Sequence, residues 1–278
     1  VKVRFRSSSN IEDALEFSGA GLYSSTSVCL ADDLDSDSDG PSRCDASLDE
    51  ERSLERGLRR VWASLFNDRA WAERDWYQID HRRASMAILV SQAFVDERAN
   101  GVAFSGNPQV SSDSRFLINV QVGDQSVVGN DARLIPEKDF LRMETGQVAA
   151  IDRARSSSMA TDGQWILDDQ QLGLLGERMA QVVEGFPLDR GTWSAEQVLL
   201  DMEFKIDASG QLRFKQIRPF LDKCRTVICN QAPEALCLDE QTLVLFDAWG
   251  ECDAVTGECR YAQQEQTCEA GCQEGACL

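Results

Sequence analysis

Basic side chains are in short supply: 28 Lys and Arg stand against 47 Asp and Glu, and the formal net charge is −19. Such a surface repels phosphate backbones and anionic headgroups, which argues against nucleic acid as a partner. Histidine is scarcer still. The single one, His81, lies in "WYQIDHRRAS", which resembles no phosphoryl-acceptor motif. Beside Arg82 and Arg83 it reads as a surface histidine. No run of about 20 apolar residues exists, so no membrane span is expected. Cysteine is missing from Asp45 through Lys223, and no pair of C-x-x-C knuckles occurs, which leaves little room for zinc. An initiator methionine and a signal-peptide pattern are also missing. The chain begins within a strand-like run at Val1, so it reads as a fragment or processed piece of something longer.

What is present divides the chain. Of ten cysteines, two are Cys29 and Cys44, and eight follow Lys223. An even, clustered set reads as a disulfide framework in an oxidising compartment, extracellular or periplasmic. Cys29 and Cys44 are close to each other and far from the rest, so they are expected to pair. Eight further cysteines allow about 105 connectivities, and the sequence does not choose among them. Beyond Asp222 apolar periodicity fades. The division expected is residues 1–222 as one domain and residues 223–278 as a small cysteine-rich tail held by cross-links.

Within the first part, residues 1–30 read as strand, loop and short strand. Residues 31–50 form an acidic insert. There Asp35, Asp37, Asp39 and Gly40 match the start of a calcium loop, but the twelfth position is Ala46 instead of Glu, so a solvated acidic loop stands beside that reading. Leu54, Leu58, Val61, Leu65 and Phe66 recur at helical spacing and predict a helix over residues 49–74. Strands are expected within Ala84–Val95, at Gly101–Phe104 and at Phe116–Val122. Leu172, Leu175, Met179 and Val182 predict a helix over 168–185, and "EQVLLDMEFKID" with "QLRFKQIRPF" predicts a hairpin about Asp207–Gly210. No internal repeat is visible. The class is α+β.

Two stretches carry candidate chemistry. "VRFRSSSNIEDALEFSGAGLYSS" passes from a strand through Arg6 into hydroxyl and glycine residues, as a phosphate site or a plain surface loop would. In the hairpin, a four-residue loop sets Glu203 opposite Phe214 and diagonal to Gln216, with Phe214, Gln216 and Arg218 on one face. Carboxylate and amide oxygens suit Mg²⁺ and Arg218 suits a phosphate, while a half-exposed hairpin with polar residues outward explains the same pattern.

Taken in order, "VRFRSSSNIEDALEFSGAGLY", "VWASLFNDRAW", "MAILVSQAFVDERANGVAFSGNP", "QVGDQSVVG" and "LLDMEFKIDASGQLRFKQIRPF" resemble the ATP-grasp nucleotide-binding domain of the pyruvate phosphate dikinase and phosphoenolpyruvate synthase family. The resemblance covers residues 1 to about 221 and implies the C-terminal larger part of an ATP-grasp fold. It implies that Arg6 and Arg218 contact the ATP phosphates as the catalytic cations. Gly19, Ala20, Gly21 and Ser25 would cover the phosphates, Gln92, Ala93 and Val95 would meet the adenine, and Glu203 and Gln216 would hold Mg²⁺. ATP and Mg²⁺ are thus the implied cofactors, with an unknown phosphoryl acceptor and an upstream domain as further partners. Two departures stand out. Where the family has G-L-G-E this chain has "QVGD", with Gln121 for a glycine and Asp124 for a glutamate. The family's glycine-rich Lys motif, its phosphoryl-accepting histidine domain and its pyruvate barrel have no counterpart in the sequence. Two functions are therefore expected in competition: Mg-ATP binding with phosphoryl transfer, and a secreted binding or structural protein that keeps the fold without turnover.

Overall fold

The computed structural model describes residues 1–12, 19, 21–35, 39–93, 96–125, 127, 134–161, 164–188, 193–254 and 256–278. Ala20, Asp37 and Val95 lie outside the described residues.

Two antiparallel sheets organise the first 221 residues. The smaller has β1 (Lys2–Ser9) at its centre, between β2 (Thr26–Cys29) and β3 (Met86–Gln92). Alternation along β1 sends Val3 and Phe5 to one face, where Phe5 is buried with Val28 and with Val61 of α1 (Leu54–Ala63). Ser53 caps α1 by accepting the Arg56 N–H. Gly57 lets the helix backbone lie against the sheet; a Cβ there would stand 2.2 Å from the Val28 side chain. The single helix expected over 49–74 is two. After α1 a 3₁₀ turn, Ser64–Phe66, leads to Asn67, whose ψ of 142° leaves the helical region before α2 (Asp68–Trp76) begins.

The larger sheet has six strands: β4 (Ala99–Phe104), β5 (Phe116–Val122), β6 (Glu137–Glu144), β7 (Gln147–Arg155), β8 (Val198–Ile206) and β9 (Leu212–Leu221), in the order β7-β6-β5-β4-β8-β9. On one face lies α3 (Asp169–Gly185), which opens with a reciprocal capping box between Asp168 and Gln171. Leu172, Leu175 and Met179 of α3 bury against Ile118, Leu141, Met202 and Phe204 of the sheet. The β6–β7 hairpin was not foreseen. Its signal was present: Thr145 (φ 48°) and Gly146 (φ 80°) make the two-residue left-handed turn that hairpins favour.

Beyond Leu221 the strands are short. β10 (Leu236–Cys237), β11 (Thr242–Phe246) and β14 (Gln263–Thr267) form one small sheet. β12 (Glu251–Cys252) pairs with β13 (Cys259–Arg260), and β15 (Cys272–Gln273) with β16 (Ala276–Cys277). All ten cysteines are paired. Cys29 bonds Cys44, as expected, and the other eight pair among themselves: 224–252, 229–259, 237–272 and 268–277. Five disulfides are compatible with an oxidising location. Among the described residues no helix is long and apolar enough to cross a membrane. The chain is α+β, sheet-dominated, with a disulfide-rich C-terminal stretch.

Candidate functional site

Strand alternation sorts the side chains of β8. Leu200, Met202, Phe204 and Ile206 face α3, which sends Asp201, Glu203 and Lys205 to the opposite face. On β1 the partners of that logic are Lys2, Arg4 and Arg6, opposite in sense to Val3 and Phe5. The two polar faces enclose a cleft of about 800 Å³. Its wall includes six cations, Lys2, Arg4, Arg6, Lys205, Lys215 and Arg218, and five carboxylates. Cations thus outnumber carboxylates by one along this wall, in a chain of net charge −19.

The hairpin corrects one expectation. Glu203 lies directly opposite Gln216, not diagonal to it. The offset is two residues: the loop is five residues, 207–211, not the four expected, and Lys215 is an extra residue in β9 that slips the register between Glu203 and Phe204. Strict alternation therefore breaks there. Phe214 packs against the core, so it does not share a face with Gln216 and Arg218, while Lys215 and Gln216 both reach the cleft. The Lys215 ammonium stands 3.6 Å from the Glu203 carboxylate. Arg218 is held by Asp201, its partner across the ladder, with Nε and Nη2 each 2.7 Å from Oδ2.

Of the residues singled out in the sequence, Arg6, Gly21, Ser25, Gln92, Ala93, Glu203, Gln216 and Arg218 all border this one cleft. Gly21 has φ +70°, a left-handed turn suited to glycine. The Ser25 hydroxyl accepts the Ser7 N–H at 3.3 Å. The Ala93 N–H donates to the Lys2 carbonyl at 3.2 Å, so Ala93 has only its carbonyl left to offer a base. Gly19 (φ +60°) is not among the described wall residues; its carbonyl accepts the Leu22 N–H.

The residues the sequence reading missed are cations and their partners. Lys2 and Arg4 precede Arg6 at two-residue spacing, which is legible once β1 is taken as a strand. Burial, and next the nearby Arg6 charge, lower the pKa of Arg4, whose Nη1 donates to the Ser27 hydroxyl at 3.2 Å. Lys205 pairs with Glu97 at 2.5 Å; burial lowers its pKa and Glu97 pulls it back up.

The "QVGD" departure has a structural account. Gln121 is fully buried and does not border the cleft: its amide oxygen accepts the Ser157 hydroxyl at 2.5 Å and the Val122 N–H at 3.0 Å. Gly123 (φ +63°) and Asp124 do border it, and the Asn100 amide ties the loop by donating to the Gly123 and Gln125 carbonyls, each at 2.8 Å. His81 is not a plain surface residue. Its ring stacks on Trp71 at 3.6 Å and its Nδ1 accepts from Nε of the buried Arg74 at 3.2 Å.

Comparison with known proteins follows this geometry. Over 109 residues the chain is 31% identical to a phosphoenolpyruvate synthase from Aeropyrum pernix, covering 38% of this chain and 13% of that protein. A rifampicin phosphotransferase from Streptomyces sp is 34% identical over 98 residues, 34% of this chain and 10% of the relative. A phosphoenolpyruvate synthase from Pyrococcus furiosus aligns over 257 residues at 24% identity, 84% of this chain and 28% of its own length. The chain thus spans little more than a quarter of these relatives at most. The profile of the pyruvate phosphate dikinase AMP/ATP-binding domain matches residues 1–227, and the chain belongs to that family.

Proposed function

We propose that the cleft binds Mg-ATP as part of an ATP-grasp nucleotide-binding domain, residues 1–222, followed by a disulfide-stapled tail, residues 223–278. One observation carries the reading: strands from both sheets bring Arg6, Arg218, Glu203 and Gln216 to a single cleft in a chain of this family. Its volume, about 800 Å³, suits a nucleotide, since ligand pockets run ~300–1,000 Å³. Among the described residues no group of three or more His, Cys, Asp or Glu side chains forms a metal site. That fits Mg²⁺, which takes one or two protein ligands plus substrate phosphates. Glu203 and Gln216, directly opposed, supply that small donor set. Bound there, the metal would neutralise phosphate charge. Arg6 and Arg218 would hold phosphate oxygens, Gly21 and Ser25 with Gly19 and Ala20 would cover them, and Gln92, Ala93 and Val95 would flank the base. Catalysis would come from positioning and charge neutralisation.

His81, stacked on Trp71 and hydrogen-bonded to Arg74, is not proposed as a phosphoryl acceptor. A second reading, favoured by the five disulfides, is a secreted binding protein that holds nucleotide without turnover.

Calorimetry with and without Mg²⁺ tests the binding. Glu203→Ala and Gln216→Ala are expected to weaken ATP chiefly when Mg²⁺ is present. Equal affinity in wild type and both variants would exclude the cleft as the Mg-ATP site. Tight binding with no loss of labelled γ-phosphate to protein or water would favour the second reading.

A further inference from the structure

The acidic insert forms part of the wall of a second cavity. It measures about 300 Å³, adjoins the cleft, and shares Lys2, Arg4, Ser25 and Ser27 with it. Ser42 of the insert, Arg52 just before α1 and Arg60 in the last turn of α1 add to the polar lining, and the Cys29–Cys44 disulfide pins this wall to β2. Four cations thus border the cavity, and among the described residues no carboxylate does. That is a marked local excess in a chain of net charge −19.

The acids nearby have partners of their own, one of them the cavity cation Lys2. Asp32, almost fully buried, accepts the backbone N–H groups of Arg43 and Arg52, each at 2.8 Å. Asp45 pairs with Lys2 at 3.5 Å, and Glu50 with Arg56 at 3.4 Å. Glu50 and Glu51 border a smaller adjoining pocket whose wall also includes Arg52 and Arg60. Among the described residues the buried Arg52 Nε has no acceptor, which leaves its desolvation without an offset there.

We propose that this cavity is a second anion site, which takes the phosphate group of a small phosphate monoester. Guanidinium forks match the geometry of phosphate oxygens, and the clustered arginines Arg4, Arg52 and Arg60 repel one another until a multivalent anion joins them. The cavity exceeds the volume of a bare phosphate, so part of the ester's alcohol fits beside the hydroxyls of Ser25 and Ser42. Because Lys2 and Arg4 border both spaces, an anion here and phosphates in the cleft draw on the same two cations. The proposal does not require the cleft to bind ATP.

The test uses the whole oxidised chain, without nucleotide, titrated by calorimetry with inorganic phosphate and with glycerol 3-phosphate. Arg60 is exposed on α1, so Arg60→Glu leaves the fold in place, which its melting temperature checks. Saturable binding is expected, weakened about tenfold or more by Arg60→Glu and by Arg52→Ala, and about twofold or less by Arg218→Ala, since each lost charge-assisted contact is worth roughly a decade. The ester is expected to bind at least as tightly as phosphate. No saturable binding of either probe, or loss through Arg218→Ala with Arg60→Glu unaffected, would overturn the proposal, the latter by seating the phosphate in the cleft.

Discussion

Arg218 and Asp201 face each other across the β8–β9 ladder, and Nε and Nη2 of the arginine both lie 2.7 Å from one carboxylate oxygen. Both side chains are largely buried, 16% and 8% exposed. The carboxylate fixes the plane of the guanidinium, so a phosphate bound there would meet a donor already oriented. Arg218→Ala is expected to weaken ATP roughly tenfold or more, the value of one or two charge-assisted hydrogen bonds. Arg218→Lys should recover only part, because a point charge lacks the fork. Asp201→Asn should fall between wild type and Arg218→Ala. Affinity unchanged in Asp201→Asn would show that the pair orients nothing.

Lys215 is the extra residue of the bulge, and its ammonium sits 3.6 Å from the Glu203 carboxylate. It occupies the neighbourhood in which a metal would compete for that carboxylate. Lys215→Met should therefore strengthen binding of Mg²⁺ or Mn²⁺ alone. A partly exposed ion pair is worth ~1 kcal/mol or less, so the gain should not exceed about fivefold. Nucleotide affinity should fall instead, since the cleft loses a positive charge. Metal affinity that drops in this variant would argue against Glu203 as a ligand.

Asp139 and Glu137 are both fully buried on β6, with Arg153 Nη1 at 3.5 and 3.6 Å. Burial, and next the charge of Glu137, push the Asp139 carboxyl up to about 7. An unfolded aspartate titrates near 3.9. The folded state thus holds its proton more tightly, and the stability from this group is complete below about pH 4 and lost as pH rises towards 7. Urea denaturation should show this contribution declining over that window. Asp139→Asn should flatten the decline while keeping the fold, whereas Arg153→Ala, which removes the counter-ion of the buried Glu137–Asp139 pair, should cost ~3–5 kcal/mol. A slope identical in Asp139→Asn and wild type would assign the pH dependence to other groups.

Much of this architecture was legible, and the failures have physical causes. β5 was read at its true limits because Phe116–Val122 is rich in aromatic, β-branched and other large apolar residues, with Asn119 and Gln121 the two polar ones. The α3 stripe of Leu172, Leu175 and Met179 was equally plain, as burial on one face leaves a 3.6-residue period. The Cys29–Cys44 bond followed from isolation alone. The Glu203–Gln216 opposition did not, since a bulge leaves no mark in an alternation pattern: Lys215 is polar at a position where either face would accept it. The cations Lys2 and Arg4 were passed over because meaning attaches to them only when a second sheet closes over β1. The site depends on pairing between distant strands, and the sequence alone does not specify that.

The disulfide-rich tail rests on cross-links more than on a core. Its buried apolar groups are few, chiefly Leu243 and Val244 with the half-cystines Cys229 and Cys268. A segment this small cannot offset its chain entropy by burial alone. Its bridges close spans of 28, 30, 35 and 9 residues, and each native disulfide typically adds ~2–4 kcal/mol. Reduction should therefore unfold residues 223–278. The two-sheet portion has its own core about α3 and the six-stranded sheet, crossed by no disulfide from the tail, and should keep its structure. The junction is tied down too: the Ser111 hydroxyl donates to Asp222 at 2.9 Å, and Arg225 donates to the Asp113 carbonyl at 3.4 Å. Under a non-specific protease with reductant, the first cuts are thus expected beyond Arg225, leaving a resistant fragment that ends near it. Without reductant the whole chain should resist. A reduced tail that stays intact would mean that docking, not cross-linking, holds it, and simultaneous loss of both parts would mean that the sheets lean on the tail for their stability.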